Sequence, residues 1–175
     1  MQCQTCAGYA LKPVELAPGL IAAQCSKCDG ASIAMLNLRF WIEQQPQDPP
    51  SASSEVMDVD DVVGARQCAK CQRLMTKYRV SNAINNRLDV CHSCDEVWFD
   101  KGEWQAIVNA GLITDLPAKL TDAGQRALRE ADRLAREKAF FAQAIGEGFD
   151  RVDEFRDWLR DHPNAPEIRR YLLLD

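Results

Sequence analysis

The chain has 175 residues, 46% of them hydrophobic and 27% charged, with a net charge of −5 from 26 acids and 21 bases. That size allows one ordinary core at most, and no apolar run approaches the ~18 residues of a membrane span. The negative balance also argues against a whole-chain electrostatic grip on nucleic acid or anionic lipid.

Cysteine is the outlying residue type: there are 8, all within the first 94 positions and all in C-x-x-C pairs. The first pair, Cys3 and Cys6, follows Met1-Gln2 with no basic start or apolar stretch of a signal peptide. The expected setting is reducing and cytoplasmic, where paired thiols are more often metal ligands than disulfides. Val14-Glu15-Leu16 and Leu20-Ile21-Ala22 then flank Ala17-Pro18-Gly19, a turn signal that predicts a β-hairpin. Cys25 and Cys28 follow, with 18 residues between Cys6 and Cys25. A redox motif of the thioredoxin kind uses one such pair inside a βαβ unit. Here there are four pairs, and no helical period separates Cys6 from Cys25. Two residues between thiolates let a tight turn aim both sulfurs at one ion, and a hairpin brings the second turn over the first. Residues 1–45 are therefore read as a first metal-stapled module.

Residues 46–64 read as a linker. Pro46-Gln47-Asp48-Pro49-Pro50-Ser51-Ala52-Ser53-Ser54 has no period to bury, and Glu55 to Asp61 alternates acidic with apolar residues. The segment holds five acids and no base, so much of the negative charge sits here. A solvated spacer is the expectation, with a docking segment for a basic partner as the sharper alternative.

Residues 65–112 repeat the first pattern. Cys68 and Cys71 are separated by 19 residues from Cys91 and Cys94. Thr76 to Val80 alternates, Asn85-Asn86 can turn, and Leu88-Asp89-Val90 returns to the second knuckle. Trp98 is expected in the core. Beyond it, Asp100 and Glu103 have the spacing of a capping box, and Phe99 and Trp104 that of a hydrophobic staple. They predict a helix to about Asn109 or Ala110, stopped by Gly111. Arg66, Lys70, Arg73, Lys77, Arg79 and Arg87 stand against Asp89 alone between Ala65 and Val90, with Tyr78 among them. Such a set is either a solvated, acid-paired sheet face or a nucleic-acid face using Lys77, Arg79 and Arg87. His92, between Cys91 and Cys94, is expected to be exposed and not a ligand, since the thiols suffice.

Cys68-Ala69-Lys70-Cys71, Cys91-His92-Ser93-Cys94 and the tail Trp98-Phe99-Asp100-Lys101-Gly102-Glu103 resemble the bacterial transcription factor IIB-type zinc-ribbon domain family. The match covers residues 66 to about 108, and residues 1–45 look like a diverged copy. The resemblance implies four cysteines to one zinc in a three-element ribbon, and no reaction. This sequence departs from the family in placing Gln72 and Asp95, not glycine, just after the second cysteine of each knuckle. Its first copy has Gly8 and Gly30 at the expected offset but reads Ser32-Ile33-Ala34-Met35 where the tail would be.

Both cysteine sets have the spacing of a zinc site, so Cys3, Cys6, Cys25 and Cys28 are expected to hold one Zn2+ and Cys68, Cys71, Cys91 and Cys94 a second. Sequential pairing is preferred over a cross-braced one joining Cys3 and Cys6 to Cys68 and Cys71. Iron also suits an all-sulfur tetrahedron. The C-terminal third, residues 113–175, is helical by period. Thr121 can cap a helix from about Asp122 to Ile145, with a stripe of Leu128, Ala131, Leu134, Phe141 and Ile145. A second helix from Asp150 carries Val152, Phe155 and Leu159, and a third runs from Glu167 to Leu173. The apolar terminus Tyr171-Leu172-Leu173-Leu174 is expected to fold back as core, with a protein-binding face as the alternative.

The resulting expectation is a small zinc-stabilised α+β protein: two hairpin ribbons followed by helices. No catalytic triad spacing or phosphate-binding loop is present, so a non-enzymatic interaction or adaptor role with a protein partner comes first. A nucleic-acid or transcription-associated role is the second reading, and a redox zinc protein with labile thiols the third. No membrane partner is expected.

Overall fold

The computed structural model describes residues 1–45, 64–82 and 87–174. The expected spacer over 46–64, apart from Gly64, its acidic alternation and the Asn85-Asn86 turn lie outside the described residues. The chain divides into two compact units, Met1–Arg129 and Glu130–Asp175.

The first unit is mixed α+β. Strands β1 (Leu11–Ala17), β2 (Leu20–Cys25) and β3 (Ala31–Ala34) lead into helix α1 (Met35–Glu43). Strands β4 (Thr76–Arg79), β5 (Arg87–Cys91) and β6 (Glu96–Phe99) lead into α2 (Glu103–Asn109). The first hairpin forms where its turn chemistry placed it. Gly19 adopts a left-handed φ of 81°, and its N–H bonds the Glu15 carboxylate at 2.8 Å. Only glycine takes that conformation without cost.

The two hairpins are not separate bodies. All six strands join one antiparallel sheet in the order β1-β2-β3-β6-β5-β4, with β3 paired to β6 at its centre. Register pairs Ala31 with Phe99, Ser32 with Trp98, and Ile33 with Val97. The shift that carries Cys25 onto Cys91 and Cys28 onto Cys94 also carries Ser32 onto Trp98. Equivalent residues of the two halves therefore face each other at this pair, which lies on an internal pseudo-twofold axis. Each half runs hairpin, third strand, helix. The first copy lacks the tail's sequence but keeps its architecture, because α1 occupies the place of α2.

One sheet face carries the main core. Leu20, Ala22, Ile33, Val97, Phe99, Leu88 and Val90 are buried there beneath Leu38 of α1, Ile107 and Trp104 of α2, and Leu116. Phe99 meets Trp104 edge-on at 5.5 Å, so the predicted staple forms. The capping box forms by half. Glu103 Oε2 accepts the Asp100 N–H at 2.7 Å, but the Asp100 carboxylate turns instead to Arg66 and Trp98. An arginine needing a buried counter-charge outcompetes a helix N–H for that carboxylate. A short helix α3 (Leu116–Lys119) precedes α4 (Asp122–Ile145), whose predicted cap is present: the Gly124 N–H donates to Thr121 Oγ1 at 3.0 Å.

Glu103 is 2% exposed. Burial, reinforced by the nearby Asp100 and Asp89 charges, pushes its carboxyl up to about 7 from 4.5. The folded state thus holds a proton there that the unfolded state has already lost, and stability falls as pH rises through this window. From pH 5.5 to 8 the loss is about 2 kcal/mol. Glu103→Gln keeps an acceptor for the Asp100 N–H and removes the titration. Denaturation of both proteins across that range should show the variant gaining on the native chain as pH rises. A constant difference would contradict this assignment.

The second unit holds the rest of α4, then α5 (Phe149–Arg160) and α6 (Ala165–Leu172). The three predicted helices form and Leu159 is buried, but most of their apolar stripe is exposed. No residue of α4 is buried, and Leu134, Phe140, Phe141, Ile145, Val152, Phe155 and Trp158 are exposed. The apolar terminus does not fold back either: Leu173 is 84% exposed. Periodicity gives a helix an apolar face but supplies no surface to cover it. Among the described residues, no helix is long and apolar enough to cross a membrane.

Candidate metal centres

The opposite face of the sheet gathers the cysteines. Cys3, Cys6, Cys25 and Cys28 form one group and Cys68, Cys71, Cys91 and Cys94 the other, each with its sulfurs within 4.8 Å of one another. Pairing is sequential, not cross-braced. All eight are free thiols.

Each knuckle is built by its backbone. Isolated bridges Gln2 to Ala10 and Gln67 to Leu74 close the base of the first knuckle in each half. Within it, the N–H of Cys3 bonds the Tyr9 carbonyl and that of Cys68 the Arg73 carbonyl, both at 2.8 Å. Amide groups then point at sulfur: Cys6 N–H to Cys3 Sγ at 3.3 Å, Lys27 to Cys25 at 3.5 Å, Lys70 to Cys68 at 3.4 Å. Such donors favour the thiolate form.

The missing glycines are explained here. Asp29, Gln72 and Asp95, each just after a knuckle's second cysteine, adopt left-handed φ values of 57°, 62° and 52°. The turn these sites require is kept with ordinary side chains, at a cost of order 1 kcal/mol each. In the first knuckle the left-handed residue is Gly8, two positions after Cys6, with φ 81°. Three knuckles therefore bear strain that the rest of the site must hold in place.

The donor set fits a tetrahedral ion. Four thiolates at about 2.3 Å from a zinc ion lie ~3.8 Å apart along the tetrahedron's edges. Cys3 and Cys28 sulfurs are 3.7 Å apart, and those of Cys71 and Cys91 3.6 Å. Both separations are far beyond the ~2.05 Å of a disulfide. Electrostatics point the same way. Neighbouring backbone N–H groups hold Cys25 down at about 7, and that of Arg73 does the same for Cys71. Burial pushes Cys28 up to about 12, and the neighbouring Cys71 sulfur, with burial, does so for Cys94. Four adjacent thiols cannot all ionise together unless a cation sits among them.

His92 is not part of the cluster. It is exposed, and its Nε2 lies 2.9 Å from the Tyr78 hydroxyl, which donates to Asp122 Oδ1 at 2.7 Å. That contact ties the last knuckle to the first turn of α4. Burial raises the Tyr78 hydroxyl to about 12, so it remains a donor.

Between the two sulfur groups lies a polar network that the sequence concealed. Arg66, counted among the surface bases, is buried. Its Nε donates to Asp89 at 3.1 Å and its Nη2 to Asp100 at 2.6 Å, and its guanidinium lies 4.8 Å from the centre of the Trp98 ring. Lys77 also reaches Asp89, at 3.2 Å, and Lys70 reaches Glu96 at 3.5 Å. Arg73 bonds the Ser93 hydroxyl at 2.7 Å. A buried guanidinium can be inferred from sequence only if its carboxylate partners are known, and Asp100 is 34 residues away.

Comparison with known protein families, characterised proteins and solved structures finds no match to this chain.

Proposed function

We propose that this is a non-enzymatic protein with two structural zinc sites, acting as an interaction or adaptor module. The observation that carries the reading is the convergence of eight thiols into two sets of four. Zinc is preferred because the thiolate tetrahedron suits its size and its lack of geometric preference. Four protein ligands fill the coordination sphere and leave no place for water or substrate, which supports a structural over a catalytic role. The likeness of residues 66–108 to the zinc-ribbon family points the same way. The adaptor part rests on the uncovered apolar side chains of the helical unit, among them Phe141, Ile145, Phe155 and Trp158. The second reading, nucleic-acid binding, needs unengaged bases on the hairpin. It is weakened because Arg66, Lys70 and Lys77 already meet Asp89, Asp100 and Glu96.

Elemental analysis with native mass spectrometry of the purified full chain tests the metal. Two zinc ions per chain are expected. Stoichiometric iron would overturn the zinc assignment, and a metal-free folded chain would overturn the metal reading altogether.

A further inference from the structure

We infer that the two metal centres are coupled and fill as one cooperative unit, because each half of the sheet braces the other half's knuckle. This rests on the metal-binding reading above. The coupling starts at the middle of the first knuckle in each half. Thr5 lies between Cys3 and Cys6, and Lys70 occupies the same place between Cys68 and Cys71.

Both residues connect across the pseudo-twofold axis. Thr5 Oγ1 accepts a hydrogen bond from Arg66 Nη1 at 2.5 Å, and Arg66 is anchored in the second half by Asp89, Asp100 and the Trp98 ring. Lys70 Nζ donates to Glu96 Oε1, and Glu96 Oε2 accepts the Ser32 hydroxyl of the first half at 2.7 Å. The second knuckles are joined as well. Trp98 fits against Gly30, two residues beyond Cys28. The Met35 N–H reaches the carbonyl of Asp95, next to Cys94, at 2.6 Å.

Thr5 and Lys70 are exposed, but the groups they join, Ser32, Arg66, Asp89, Glu96 and Trp98, are buried and cannot be released cheaply. If the first centre empties, its knuckles lose the constraint that holds Thr5 and Gly30 in place. Arg66 then loses an acceptor while still buried, and Trp98 loses its wall. Asp89, which has one buried oxygen without a partner among the described residues, is held by Arg66 and Lys77. Asp89 is two residues from Cys91 on β5, so the disturbance reaches the second centre directly. The reciprocal path runs through Lys70, Glu96 and Ser32.

The test is a titration of the metal-free full chain with Co2+ in a competing chelator, reading thiolate-to-cobalt absorption and tryptophan fluorescence. Three proteins are compared: the native chain, Cys3→Ser/Cys6→Ser, and Arg66→Met, which keeps every ligand and an apolar stem. The native chain should bind two ions in one cooperative transition. In the double serine variant the second centre should bind at least tenfold more weakly. In Arg66→Met two ions should still bind, with the cooperativity reduced. Unchanged affinity in the serine variant, or undiminished cooperativity in Arg66→Met, would overturn the coupling while leaving two metal sites standing. If the native chain binds no cobalt, the metal reading fails, and this inference with it.

Discussion

Replacing Cys71 with serine is expected to abolish the native fold of residues 65–112 under conditions where the unaltered chain is fully folded. The magnitude follows from what the sheet lacks without metal. β4 and β6 have four residues each and β5 five, so this half of the shared sheet has only short ladders besides its ion to hold it. A structural zinc site contributes on the order of 10 kcal/mol, comparable to the whole stability of a small domain. Serine is a far weaker zinc ligand than a thiolate, and its loss also frees the strained backbone at Gln72. Circular dichroism and amide exchange of the variant, beside native protein treated with a chelator, give the measurement. Both should lose protection at Leu88, Val90 and Val97. Retention of that protection in the serine variant would show that the hairpin stands without its ion.

How far the sequence determined these features depends on whether the physics is local. C-x-x-C spacing, Pro18-Gly19 and the Thr121 cap act within a few residues, and each appears where it was expected. The left-handed knuckle positions were less legible, because Asp29, Gln72 and Asp95 adopt a backbone normally marked by glycine. Helix α1 has no starting signal: Ala34 precedes it without a side-chain cap, and Ser32-Ile33-Ala34-Met35 shows only that the ribbon tail is missing. The pairing of β3 with β6 is the largest omission. Ala31–Ala34 and Glu96–Phe99 are too short and too uniformly buried to alternate, so nothing local shows that they meet. The same holds for Arg66, whose burial depends on acids supplied by β5 and the turn after β6. The helical unit shows the converse: its periodicity is plain, yet most of its apolar stripe stays exposed.

Gly30→Ala carries the second large effect, and its cause is a steric clash and not a left-handed backbone. A Cβ at Gly30 would lie 2.3 Å from Trp98 Cζ2 and 2.9 Å from Cε2. Trp98 cannot retreat: it is buried, its Nε1 donates to Asp100 at 2.8 Å, and Arg66 covers its ring. Overpacking at a fixed wall costs about 1–3 kcal/mol or more. Gly8 is the contrast, with nothing within 4 Å of an added Cβ but a φ of 81°, so Gly8→Ala is penalised through the backbone alone. A double-mutant cycle with Trp98→Phe separates the two mechanisms. The smaller ring should recover about 1 kcal/mol or more of the Gly30→Ala penalty and none of the Gly8→Ala penalty, measured by denaturation of the metal-loaded protein. Additive losses at Gly30 and Trp98 would mean that the ring does not rest on that backbone, and the seam at the pseudo-twofold axis would then need another explanation.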